Sequence, residues 1–152
     1  LPGFIEGHMH LCSYAFTNNN VMLFDCKSVE DCLEAAKRFR AAHDDLKWMY
    51  CRGWNEDNFT EKRYPTREEL DAICPDIPIL MVRVCGHVGI CNTLAFNKIQ
   101  ELKEAKPLQN QMDFEGGRLY EDACQLYYHI LEKPSQEYVE GLLKFGMKAL
   151  NQ

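Results

Sequence analysis

The sequence predicts an α+β fold, and three observations carry that prediction. Short apolar runs rich in β-branched and aromatic residues read as strands, as at Val21–Phe24 and Ile79–Val84. Other stretches space their apolar residues by three and four behind a capping residue, as from Ser28 onward. The two kinds mix without a regular βαβ rhythm after the first unit, which suits an α+β body.

An apolar, β-like stretch opens the chain: Leu1-Pro2-Gly3-Phe4-Ile5-Glu6-Gly7-His8-Met9-His10-Leu11. In an extended strand alternate side chains share a face, so His8 and His10 point one way and Ile5, Met9 and Leu11 the other. Ser13 to Asn20 is polar, a loop or weak helix start, and Val21–Phe24 is a short buried strand. Ser28 caps a helix running to about His43, with Val29, Cys32, Leu33, Ala36 and Phe39 on one face. Leu46 to Arg52 is a strand, broken by the polar loop Gly53–Asn58. Thr66 and Glu69 form a capping box behind Pro65 and open a short helix through Leu70 and Ile73. Pro75 and Pro78 stop it and launch the strand Ile79–Val84, which His87–Cys91 continues or pairs with, Gly86 allowing a bulge or bend. Asn92 or Thr93 caps the next helix, with Leu94, Ile99 and Leu102 inward. Pro107 to Phe114 reads as a loop, Glu115-Gly116-Gly117 as a turn, and Leu119 to Glu132 as a helix with Ala123, Leu126, Tyr127, Ile130 and Leu131 on its apolar side. Ser135 caps a last helix bearing Val139, Leu142, Leu143 and Leu150.

At 152 residues the chain is long enough for a real core but shorter than the roughly 250 residues of a complete (β/α)8 barrel. Its net charge of −6, with no basic stripe, argues against nucleic acid or an anionic membrane as partner. No apolar run approaches a bilayer span. Among the eight cysteines no Cys-x-x-Cys pair occurs, which disfavours a zinc ribbon or a thioredoxin-type motif and, without secretory features, favours reduced thiols in a cytoplasmic protein.

The chemistry concentrates in a few residues. His8 and His10 on one face make a two-pronged metal claw, imidazoles being borderline ligands for zinc and its neighbours. Cys12, two residues on, is either a third ligand or an ordinary loop thiol. His87, in a Gly-His after a strand, is by its surroundings a structural side chain, as are His43 near a helix end and His129 on an amphipathic helix. Trp54, with Asn55 at a strand end, is either an apolar wall for a ligand or a core residue. Arg83, between Val82 and Val84, needs a partner if buried: a structural salt bridge first, carboxylate recognition second. Glu121 opens a predicted helix, where the dipole favours a carboxylate whatever its function.

Pro2-Gly3-Phe4-Ile5-Glu6-Gly7-His8-Met9-His10 resembles the first barrel strand of the amidohydrolase superfamily, whose members end that strand in His-x-His. Arg52-Gly53-Trp54-Asn55-Glu56, Pro65-Thr66-Arg67-Glu68-Glu69-Leu70-Asp71, Pro75-Asp76-Ile77-Pro78, Arg83-Val84-Cys85-Gly86-His87 and Asn92-Thr93-Leu94-Ala95 resemble its YtcJ-like branch, which includes N-substituted formamide deformylase. Gly117-Arg118-Leu119-Tyr120-Glu121-Asp122-Ala123 is similar to that branch's Gly-x-Leu-x-Glu-x-Ala segment. The resemblance implies a fragment of a metal-dependent hydrolase with a TIM-barrel parent: first barrel strand and loop over 1–20, an inserted α+β subdomain over 21–134, and a closing helix over 135–152.

It further implies that His8 and His10 hold a divalent metal, zinc first, as one or two ions in the complete protein. His87, Trp54 and Glu121 would face a small amide-type substrate. The remaining ligands and the catalytic aspartate would lie downstream, leaving the fragment inactive by itself and no catalytic residue within it. Its exposed apolar surface would favour homo-oligomers. The rival readings are a non-catalytic binding module derived from the insertion and, disfavoured by the cysteine spacing, a small structural zinc domain.

Overall fold

Apolar runs bounded by Pro and Gly become the strands of one mixed sheet. In the computed structural model the described residues are His10, Leu11, Ala15, Phe16, 20–131 and 135–150, the side chains of 149 and 150 excepted. The strands are β1 (Val21–Met22), β2 (Met49–Trp54), β3 (Ile79–Arg83), β4 (Val88–Cys91), β5 (Met112–Asp113) and β6 (Arg118–Tyr120). Their order is β1-β2-β3-β4-β6-β5. β1, β2 and β3 run parallel, and β4, β6 and β5 add on as antiparallel neighbours. The βαβ rhythm therefore extends through two crossovers before it gives way to antiparallel pairing, one more than the sequence pattern suggested.

The crossover helices start where capping predicts. α1 (Val29–Ala42) opens on Ser28, whose Oγ accepts from the Asp31 N–H at 3.0 Å. α2 (Arg67–Ile73) opens on a complete Thr66/Glu69 capping box. Both helices contribute to one core: Val29, Cys32, Leu33 and Ala36 of α1 and Leu70 of α2 join Met49, Cys51, Trp54, Ile79, Met81 and Ile90. The sheet thus buries one face against these two helices.

α3 (Thr93–Gln100) buries Ala95, Phe96 and Ile99; Leu94 and Leu102, expected inward, are half-buried. The predicted loop at Pro107–Phe114 is instead a 3₁₀ segment, Lys103–Gln111, followed by β5. The predicted helix over Leu119–Glu132 is three elements: β6, a 3₁₀ turn at Glu121–Leu126, and the short α4 (Tyr127–Ile130). The reason is local. Leu119 pairs with Gly89 in the sheet, and Glu121 takes φ +47°, which no right-handed helix can absorb. Ala123 and Leu126 stand three apart, a spacing that a 3₁₀ turn and an α-helix share, so apolar spacing at this point could not separate the two.

The chain forms two compact units, Asn20–Glu132 and Leu1–Asn19 with Lys133–Gln152. The sheet belongs to the first. In the second, α5 (Gln136–Leu150) follows Ser135, whose Oγ accepts from the Tyr138 N–H at 3.1 Å. A Cβ at Gly146 would lie 2.9 Å from Leu11 Cδ1 and 3.0 Å from Ala15 Cβ, so the absence of a side chain lets α5 approach these residues. Leu11, placed in the opening strand by alternation, is helical. Among the described residues no helix is long and apolar enough to cross a membrane.

Candidate functional site

Strand register decides which residues can meet. Tyr50 and Arg52 alternate away from Met49 and Cys51, so they lie on the sheet face opposite α1 and α2. Leu80 pairs with Tyr50, and beside Leu80 a Cβ on Gly89 would meet Leu80 Cδ1 at 2.8 Å and Cys124 Sγ at 3.7 Å. The segment Glu121–Ile130 therefore runs across this second face. Tyr127 pins its far end: the buried hydroxyl reaches the carbonyl oxygens of Met49 (2.8 Å) and Pro78 (3.1 Å), at the starts of β2 and β3. Glu121 stands at the opposite end, where the parallel strands finish.

There it meets His87. The ladder pairs Val88 with Tyr120, which makes His87 and Glu121 the next neighbours outward. The Glu121 N–H donates to the His87 carbonyl at 2.8 Å. The His87 Nδ1 lies 2.8 Å from Glu121 Oε2, with both side chains about two-thirds exposed (65% and 63%). A carboxylate only accepts, so Nδ1 carries the hydrogen and Nε2 faces away from the pair. Glu121 reaches this position through left-handed backbone, which costs an L-residue about 1–2 kcal/mol. The sequence proposed these two residues singly; the fold brings them together.

Trp54 takes the other course. Arg52 pairs with Val82 and Trp54 with Arg83, leaving Gly53 as an extra residue with φ +109°. This bulge turns Trp54 out of the face it would share with Arg52 and into the α1/α2 core. The indole is fully buried, its N–H donates to the Met81 carbonyl at 3.1 Å, and its ring packs against Phe59 and Tyr64. Of the two readings given for Trp54, ligand wall or core, the packing is that of core.

Other motif residues are structural. Arg83 donates to Glu56 through Nε (2.7 Å) and Nη2 (2.9 Å), and Nη2 also meets Asn55 Oδ1 at 3.0 Å. Its hydrogen bond to Arg83 holds the Glu56 carboxyl below its ordinary value, and the same contact raises the arginine. Asn92, buried completely, spends its whole amide: Nδ2 donates to the Cys74 and Ile77 carbonyls, and Oδ1 accepts from the Ile79 and Ala95 N–H groups. Asp71 accepts from the Thr93 N–H (2.7 Å) and hydroxyl (2.6 Å), tying α2 to α3. Arg67 lies over the Phe96 ring at 4.6 Å and donates to the Phe114 carbonyl. His43 stacks on Phe39, and His129 is exposed on α4.

His8 and Cys12 lie outside the described residues, and His10 is exposed. Among the described residues no group of three or more His, Cys, Asp or Glu could hold a metal ion. Among the described residues, therefore, no complete ligand set surrounds His10. The described cysteines, Cys26, Cys32, Cys51, Cys74, Cys85, Cys91 and Cys124, are free thiols. Burial pushes the Cys51 and Cys91 thiols up, and that of Cys124 up to about 12, which makes all three poor nucleophiles.

Two residues escaped the sequence reading. Arg52 stands in a motif that assigns it no role, and the sequence marks Asn92 only as a cap. A Gly two places before Asn55 in a strand was the available signal for the bulge that separates Arg52 from Trp54.

Residues 1–152 match the amidohydrolase family. A Bacillus subtilis protein named as an amidohydrolase, YtcJ, is 32% identical over 97% of this chain and 29% of its own length. The N-substituted formamide deformylase of Arthrobacter pascens is 29% identical over 65% of this chain and 19% of its own length. Among solved structures, an uncharacterised metal-dependent hydrolase from Pyrococcus furiosus covers 99% of this chain with a TM-score of 0.72 and 26% identity, the match taking in 30% of that protein. The chain thus spans less than a third of the length of these relatives.

Proposed function

The chain belongs to the amidohydrolase family, and on that premise we propose that it is part of a metal-dependent hydrolase of C–N bonds in amides, formamides or cyclic amides. The observation that carries the reading is the family match along the whole chain, the His8-Met9-His10 segment included. His8 and His10 are the residues that would contribute to a divalent metal, zinc first, with the remaining ligands outside this segment. Such a metal polarises a carbonyl and lowers the pKa of bound water to about 7.

This segment's own contribution to the substrate site is the His87–Glu121 pair. Glu121 fixes the imidazole with its hydrogen on Nδ1 and presents Nε2 outward as an acceptor for a substrate or leaving-group N–H. Strain held in Glu121, at the carboxyl ends of parallel strands, supports a binding role over a purely structural one. Trp54 stands behind this site as packing.

The full-length protein tests the reading. Its metal content would be measured after purification, and its turnover on a panel of formamides, N-acyl amines and hydantoin-like rings, beside a His8→Ala, His10→Ala double variant. Metal occupancy and C–N hydrolysis in the wild type, both lost in the variant, are expected. Occupancy and turnover that survive the double substitution overturn the assignment.

A further inference from the structure

We propose that Arg52 binds a carboxylate carried by the substrate, so that the parent enzyme acts on amides bearing an acid group near the scissile bond. The proposal rests on the reading of His87 and Glu121 as substrate-facing and adds the substrate's charge to it.

Arg52 ends the regular part of β2, on the face crossed by Glu121–Ile130. Its guanidinium nitrogens Nη1 and Nη2 each lie 3.4 Å from where a Cβ on Gly86 would stand, one residue before His87. Gly86 adopts φ +84°, so the turn after β3 exposes bare backbone for the guanidinium to lie against. The side chain is half-buried, and among the described residues it makes no hydrogen bond or ion pair.

Each of the other half-buried arginines has a partner, Arg67 through the Phe114 carbonyl and the Phe96 ring. Arg40, Arg63, Arg83 and Arg118 each pair with a carboxylate. Glu121, the acid of this site, is already engaged by His87. A partly desolvated guanidinium without its anion is costly, and its planar fork matches a carboxylate with two parallel hydrogen bonds. Placed beside an imidazole that presents Nε2, this cation and acceptor would hold a carboxylate and an N–H of one small molecule. An N-acyl amino acid has that chemistry; a simple alkylformamide lacks the acid.

The test uses the full-length protein and matched substrates, N-formyl amino acids against their methyl esters. The wild type is expected to prefer the acid in kcat/KM by at least about tenfold, as one charge-assisted contact would give. Arg52→Gln should abolish the preference, mainly through KM. Arg52→Lys should keep part of it, and Glu121→Gln should lower both substrates without changing their ratio. Calorimetric binding of N-acetylglycine to wild type and Arg52→Gln, with circular dichroism to confirm folding, reads the same contact without turnover. Equal binding by the two, or a preference unchanged by Arg52→Gln, overturns the proposal. If no amide is hydrolysed but N-acetylglycine binds through Arg52, the hydrolase reading falls and the carboxylate site stands.

Discussion

Glu121 is where a single residue's conformation says most about use. Left-handed backbone favours glycine, and an exposed His–Glu pair returns at most about 1 kcal/mol. At an ordinary strand end alanine would match or exceed glycine in stability. Here the order should invert, with Glu121→Gly more stable than Glu121→Ala by about 1 kcal/mol in urea titrations. Turnover of the full-length protein should fall in both. A Glu121→Ala protein as stable as Glu121→Gly would mean the backbone carries no strain at this position, and the argument for function from it would go.

Elements add what residues cannot. The bulge at Gly53 splits one strand between two tasks, sending Trp54 into the core and leaving Arg52 on the opposite face. Arg83 fastens the end of β3 to the 3₁₀ turn at Glu56–Asn58, and that fastening depends on pH. Glu56 has its pKa depressed in the fold, by the hydrogen bond from Arg83. It therefore binds a proton more readily when unfolded, and its contribution is complete above about 4.5, the ordinary value. The stability gap between wild type and Glu56→Gln should be constant from neutral pH down to that point, then close as pH falls through the lowered value. Thermal melts across pH 3–7 measure it, and a gap that widens on acidification would contradict the pairing.

At the scale of the whole sheet unit, Asn92 holds segments that are far apart in sequence. Its amide links Cys74 after α2, Ile77, the first residue of β3 and the first turn of α3. Asn92→Ala strips partners from two carbonyls and two N–H groups in a dry interior, at about 1 kcal/mol or more each. A loss of about 4 kcal/mol is expected, read as a lower urea midpoint for the whole unit in place of local fraying. A change below about 1 kcal/mol would show that water replaces the amide.

The sequence by itself determined the side-chain-capped helix starts, the principal strands and the family. Ser28, Thr66 with Glu69, Asn92 and Ser135 each satisfy N–H groups within four residues of themselves, so no distant part of the chain is needed to read them. Tertiary structure alone decided that Trp54 faces inward, that Leu119–Leu126 is strand and 3₁₀ turn, and that His87 meets Glu121 across 34 residues. Each of those outcomes depends on which strand pairs with which and in what register. Register is fixed by burying a face of the whole sheet, a quantity that no short window of sequence contains.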